Sequence, residues 1–283
     1  MKLGLYGINT GACAAPAAAI RVAVAAERAG FESLWTAEHV VLPDSLPPEW
    51  PMRSSDPFIH PAIALAYVAG HTRSIRLATG VIILPQRNAV VLAKELASLD
   101  VVSGGRLIFG LGTGYIPQEF AACGIPFEER GARTDEGIAV LRDLWTSPKP
   151  RFEGRFYRYG NIDAQPRPIQ RPHPPIVVGG MTAPAFRRAV AQGNGWYGFG
   201  LDPEATGKCL AALHDAAKRV ERSESLGPLE ITVTPWIELD ARTLEQYSSL
   251  GVHRLVLRPA GTDANAIVDF VERIGRMAGG NSR

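Results

Sequence analysis

The chain has 283 residues, 46% of them hydrophobic, enough to bury a large core as two small domains or as one barrel of roughly 250 residues. Thirty basic and twenty-eight acidic residues leave a net charge of +2 without a basic run, which argues against nucleic acid and anionic membrane as partners. Cys13, Cys123 and Cys209 are odd in number and far apart, which argues against a disulfide frame or a cysteine zinc site and for a reducing, cytoplasmic setting.

The first element is a strand, Lys2 to Ile8, followed by a helix that Pro16 opens and Gly30 closes. The alanine-rich part of that helix is interrupted by Arg21 and is too short and weakly apolar for a membrane span, and no leader pattern is visible. Phe31 to Thr36 is a second strand running into Ala37-Glu38-His39. A proline-rich insertion with Trp50 follows at about 40–57, then a helix from Pro61 to His71. Ile75 to Leu84 reads as one continuous third strand, and Leu92, Leu96 and Leu99 mark the buried face of the helix that ends at Gly104-Gly105.

Leu107 to Leu111 is the fourth strand, apolar on both faces as in a parallel sheet, and it ends in Gly112-Thr113-Gly114. Pro117, Gln118 and Glu119 begin a helix behind that turn. Freed N–H groups and a helix start carrying about half a positive charge make such a corner a candidate phosphate seat, with a simple tight turn as the alternative. It has neither the Lys-Ser/Thr of a P-loop nor the spacing of the dinucleotide fingerprint. Phe127 to Thr146 is an amphipathic helix stopped by Pro148. Residues 151–175 are an excursion, a hairpin around Glu153-Gly154 and then five prolines between Gln165 and Pro175. Four further strands follow, at Ile176 to Val178, Gly195 to Gly200, Leu229 to Thr234 and Arg254 to Leu257, with helical stretches between them.

Eight apolar strands alternating with helices predict an α/β fold, a (β/α)8 TIM barrel with insertions spanning 1–283 as a single domain; an open doubly wound sheet is the alternative. In a barrel the chemistry lies at the carboxyl ends of the strands. None of the five lysines falls there, which disfavours Schiff-base and pyridoxal chemistry. The six histidines form no metal-ligand pair, and no Gly-x-Ser-x-Gly elbow is present. His39 is the strongest catalytic candidate, since it ends a strand beside Glu38 and a carboxylate neighbour can orient an imidazole. His71, at a helix end, is expected only to cap carbonyls.

Ala37-Glu-His39, Leu77-Ala-Thr-Gly-Val81, Leu92 to Asp100 with Ser103-Gly-Gly-Arg-Leu107, Gly110-Leu-Gly-Thr-Gly114 and Pro175 to Gly180 occur in a specific order and spacing. In these stretches, which span most of its length, the chain resembles the bacterial luciferase-like monooxygenase superfamily, and within it the oxidoreductases that use the deazaflavin coenzyme F-420. The resemblance implies an eight-stranded barrel and hydride transfer between F-420 and a small organic substrate. His39 would face the reactive ring and Glu38 its polar edge, while Thr79, Gly80 and Val81 would form a bulge against the ring, with a cis peptide at Gly80-Val81. Gly112, Thr113, Gly114 and Gln118 would hold the ribityl chain and phosphate, and Gly179, Gly180 and Met181 the rest of the cradle. The alternatives it leaves are a monooxygenase using reduced FMN from a separate reductase, and a flavin-binding barrel without turnover. It also implies a homodimer as a possible assembly. Tyr115 departs from the family's sugar-phosphate dehydrogenases, which carry a glutamate there, so their substrate class does not transfer. The 40–57 insertion, Trp196, Tyr197 and Trp236 are candidate pocket walls, with core packing an equal reading of Trp196.

Overall fold

The computed structural model describes residues 1–279 apart from 51, 238, 260 and 262. Residue 51 of the expected insertion, and these and the last four positions of the expected single domain, lie outside it. The strands are β1 (Lys2–Tyr6), β2 (Ser33–Trp35), β3 (Arg76–Ala78), β4 (Ile82–Ile83), β5 (Leu107–Gly112), β6 (Phe152–Glu153), β7 (Arg158–Tyr159), β8 (Ile176–Gly179), β9 (Gly195–Phe199), β10 (Glu230–Thr234) and β11 (Arg254–Leu257). The helices are α1 (Pro16–Arg28), α2 (Pro61–Ala69), α3 (Ala89–Val102), α4 (Pro117–Ala122), α5 (Arg130–Thr146), α6 (Ala183–Gln192), α7 (Pro203–Ala217), α8 (Ala241–Ser249) and α9 (Ala264–Gly279).

Parallel pairing runs β1-β2-β3-β5-β8-β9-β10-β11 and returns to β1, so eight strands close a barrel, as the sequence predicts; β4 extends the upper end of β5. Strand alternation sorts the side chains into two cores. Leu5, Leu34, Leu77, Phe109, Leu111, Val178, Val233 and Leu255 point outward into the helical shell. Trp35, Ala78, Ile108, Val177, Tyr197 and Val256 point inward and fill the lumen, with Tyr6, Val81 and Phe199 above them. The barrel is therefore packed through its middle.

Its lower end is closed by charge. Arg254 is 1% exposed; it donates to both oxygens of Glu32, at 2.8 and 3.0 Å, pairs with Glu230, and has its guanidinium 5.7 Å from the Trp35 ring. The excursion seals the same end. Buried Asp100 accepts from the Ile169 and Gln170 amides, and Gln170 accepts from Arg76. Its hairpin forms as β6 and β7, with the turn held by Glu136, whose carboxylate accepts the amides of Arg155, Phe156 and Tyr157.

One expected strand is corrected. Ile75 to Leu84 is mostly apolar, but the strand ends at Ala78 and pairing to β5 resumes as β4 at Ile82. Thr79 still donates its amide to the Ile108 carbonyl at 3.1 Å, and beyond it the hydroxyl takes the place of backbone pairing, donating to the Gly110 carbonyl and accepting the Gly110 amide at 2.6 and 2.8 Å. The following Gly80–Val81 peptide is cis, where the resemblance placed it.

Candidate active site

The floor of the barrel mouth is Val81. Its methyls lie over glycines: a Cβ on Gly112 would stand 2.7 Å from Val81 Cγ2, and one on Gly179 3.1 Å from Cγ1. A Cβ on Gly110 would collide with the Thr79 carbonyl, so that glycine serves close strand approach, and Thr79 acts within the wall. These glycines let the bulge enter the lumen.

His39 follows β2 at the rim, only partly exposed. The carboxylate nearest its ring is not the neighbouring Glu38, as the sequence suggests, but Glu119 of α4: His39 Nδ1, buried and without a hydrogen bond, lies 3.5 Å from Glu119 Oε2. Glu119 is 1% exposed and accepts the Val40 amide at 2.6 Å through its other oxygen. Burial pushes its carboxyl up, but the adjacent His39 imidazole and the bond from the Val40 amide outweigh this and hold it below the ordinary carboxylate range. Glu38 turns away from the mouth, because Oε2 accepts the Ile83 amide and Oε1 pairs with Arg87. Burial outweighs these partners and raises its carboxyl. Arg87 Nη1 lies 3.0 Å from His60 Nε2; burial first, and the arginine second, depress the His60 imidazole. His39, Glu38, Arg87, His60 and Phe58 line a cavity of about 160 Å³.

The insertion forms the lid of this corner. Buried Asn9 clasps both ends, donating to the carbonyls of Ala37 and Ile59, at 2.8 and 2.6 Å, and accepting the Ala37 amide at 2.7 Å. Within it, Trp50 packs edge-on to Tyr115 with centroids 5.3 Å apart, and Phe58 meets the His39 ring at 5.3 Å. Burial and the charge of Glu119 raise the Tyr115 phenol.

Across the floor lie the two glycine corners. Gly114 has φ +80°, and a Cβ there would strike Phe120, which fixes the turn between β5 and α4. Thr113 Oγ1 accepts from Arg188 Nη1 at 3.2 Å, and Arg188, 3% exposed, is itself held by Asp135 at 2.7 Å. Gly180, Met181 and Thr182 lead into α6, whose N-cap Thr182 makes no side-chain cap bond. Gln118 is exposed on α4. His39, Val81, Thr113, Gly114, Gly180 and Met181 thus follow the carboxyl ends of barrel strands around one mouth, while Glu38 lines the small cavity beside His39 with its oxygens engaged and Thr79 is buried in the wall. Trp196 is corrected as a pocket wall: the alternation of β9 turns it out of the lumen, where it packs on Phe186 and donates to the Gly180 carbonyl. Tyr197, its neighbour, points inward.

The family model for luciferase-like monooxygenases matches residues 5–241. The chain belongs to the luciferase-like monooxygenase family. A relative in this family, an uncharacterised protein of Mycobacterium tuberculosis, is 34% identical over 245 residues, 83% of this chain and 80% of that protein. The FMNH2-dependent dimethylsulfone monooxygenase of Pseudomonas putida is 38% identical over 108 residues, 37% of this chain and 30% of that one. In fold, the luciferase-like barrel matches the coenzyme F-420-dependent tetrahydromethanopterin reductase of Methanopyrus kandleri with a TM-score of 0.74 at 17% identity, over 98% of this chain and 97% of that one. The luciferase-like family is one of oxidoreductases; among the proteins this chain is similar to, one is named for FMNH2 and another, similar in fold, for coenzyme F-420.

The mouth of this luciferase-like chain has the chemistry such a group needs. One end offers a helix start without a side-chain cap and a threonine hydroxyl braced by a buried arginine, suited to phosphate. The middle offers an apolar shelf at Val81, cleared by glycines and suited to a flat ring. No helix among the described residues is long and apolar enough to cross a membrane.

Proposed function

We propose that the protein is an oxidoreductase that transfers hydride between coenzyme F-420 and a small organic substrate. The reading is carried by the His39–Glu119 pair, which stands on the rim beside the Val81 shelf with its carboxylate buried and held ionised. The deazaflavin, when bound, supplies the hydride chemistry. Thr113, Gly114, Gly180, Met181 and the start of α6 would hold its phosphorylated chain, with Gln118 at the edge, and Val81 would support its ring. Glu119 orients His39 through Nδ1, and His39 Nε2 holds or gives up the proton of the reacting substrate. Glu38, with Arg87, braces the His39 loop against β4. The lid carrying Trp50 and Phe58 excludes water.

A second reading, a monooxygenase that receives reduced FMN from a separate reductase, is favoured by the Pseudomonas putida relative, whose name specifies FMNH2. Titration of the protein with F-420 and with FMN, each oxidised and reduced, followed by tryptophan fluorescence, separates the two. Tight binding of F-420 alone supports the first reading. Preference for reduced FMN replaces it with the second, and binding of neither removes both.

A further inference from the structure

The wall of the mouth opposite the phosphate cradle has a charge that the proposed chemistry does not use. In the ring of eight strands β11 stands four places from β5 in either direction, so the end of β11 faces Gly112 to Gly114 across the opening. Arg254 and Val256 point into the lumen, which brings Arg258, two residues on, to the rim on the same face. Its guanidinium carbon lies 4.3 Å from the centroid of the Trp236 ring. Trp236 is 46% exposed and rests on Gly200, where a Cβ would come within 3.2 Å of the indole. The aromatic surface continues through Phe199, 5.6 Å from Trp236, to Tyr6, 5.2 Å further. Among the described residues no carboxylate lies within ion-pair distance of Arg258, and Glu38 and Glu119 are buried and already engaged, the first with Arg87 and the second with the Val40 amide. Burial raises the phenols of Tyr6 and Tyr197, and Arg258 pulls both the other way, as a charge close above them must.

We propose that Arg258 anchors an anionic oxygen group of the substrate, so that the enzyme takes small organic anions whose flat apolar body lies along Trp236, Phe199 and Tyr6. A guanidinium already oriented by stacking presents its donor fork without further ordering. Its position across the opening from the cradle assigns it to the substrate and not to the cofactor phosphate. The proposal rests on reading the mouth as the active site, and the test separates the two. Calorimetric titration compares benzoate with its neutral analogue benzyl alcohol on the wild-type protein and on Arg258→Met and Arg258→Lys, with circular dichroism showing all three folded. Benzoate is expected to bind the wild type about tenfold more tightly than the alcohol, to lose that advantage in Arg258→Met and to regain part of it in Arg258→Lys. Equal affinity for the two probes, no benzoate binding, or an unchanged benzoate affinity in Arg258→Met overturns the proposal. F-420 and FMN are titrated into the same variants. Cofactor affinity lost with Arg258 moves the residue to the cofactor site and also overturns the proposal. If the wild type binds benzoate as expected but neither cofactor, the redox reading fails while the anion site stands.

Discussion

His39 and Glu119 are expected to fail in different ways. His39→Ala removes the proton-handling group and leaves the cradle intact, so cofactor affinity stays near the wild-type value while turnover falls by about a hundredfold or more. Retained turnover would remove His39 from the mechanism. Glu119→Gln keeps the volume and loses the charge. Because the carboxyl is held below its ordinary range, wild-type activity persists as pH falls until that group protonates. The glutamine variant should turn over about tenfold more slowly and lack that acid limb, which a pH–rate profile checks. Of this pair the sequence disclosed only one member. His39 was legible because it ends a strand, whereas Glu119 lies in the first turn of a short helix, where an acid is ordinarily explained by the helix dipole. Its nearness to His39 comes from the turn fixed at Gly114, which no local pattern records.

At the level of elements, the site is a bulge pressed into glycines and a loop tied at its base. Gly112→Ala would force its methyl against Val81, at a cost of about 1–3 kcal/mol, and should weaken cofactor binding together with thermal stability. Asn9→Ala releases both ends of the insertion and leaves buried carbonyls unpaired, at a cost of about 1–3 kcal/mol. Limited proteolysis should then cut within 40–57 faster than in the wild type; unchanged cleavage would show that the loop is held elsewhere. The strands were readable because short apolar runs bounded by glycine fit a sheet covered on both faces; Arg254–Leu257 falls on the expected residues. The break in the third strand was not readable from periodicity, since Ile75 to Leu84 is mostly apolar and the Thr79 hydroxyl at the interruption bonds to another strand.

For the molecule as a whole, the barrel was legible from eight strands alternating with helices, but its lower closure was not. Arg254 sits inside an otherwise apolar run, and its partners Glu32 and Glu230 come from distant strand starts. Burial raises the carboxyls of Glu32 and Glu230, and Arg254, with Ser33 and Arg76 at the first and Lys2 at the second, outweighs it to leave both below their ordinary value of 4.5. A depressed folded-state value means that their stabilisation is fully present above that pH and fades as pH falls through the lower, folded-state value. Arg254→Met leaves Glu32 without its bidentate partner and Glu230 with Lys2 alone, so the variant should lose about 3 kcal/mol at neutral pH, read from denaturant unfolding. Its stability should also fall less steeply on acidification than that of the wild type.

The same closure governs traffic. With the lumen filled by Trp35, Ile108, Val177 and Val256, and its lower end sealed by Arg254 and the proline-rich excursion, the barrel is a cul-de-sac. Visitors to a room with one door leave in the reverse of the order in which they entered. A cofactor lying against Val81 is therefore expected to bind before the substrate and to leave after the product, an order that product-inhibition kinetics would check.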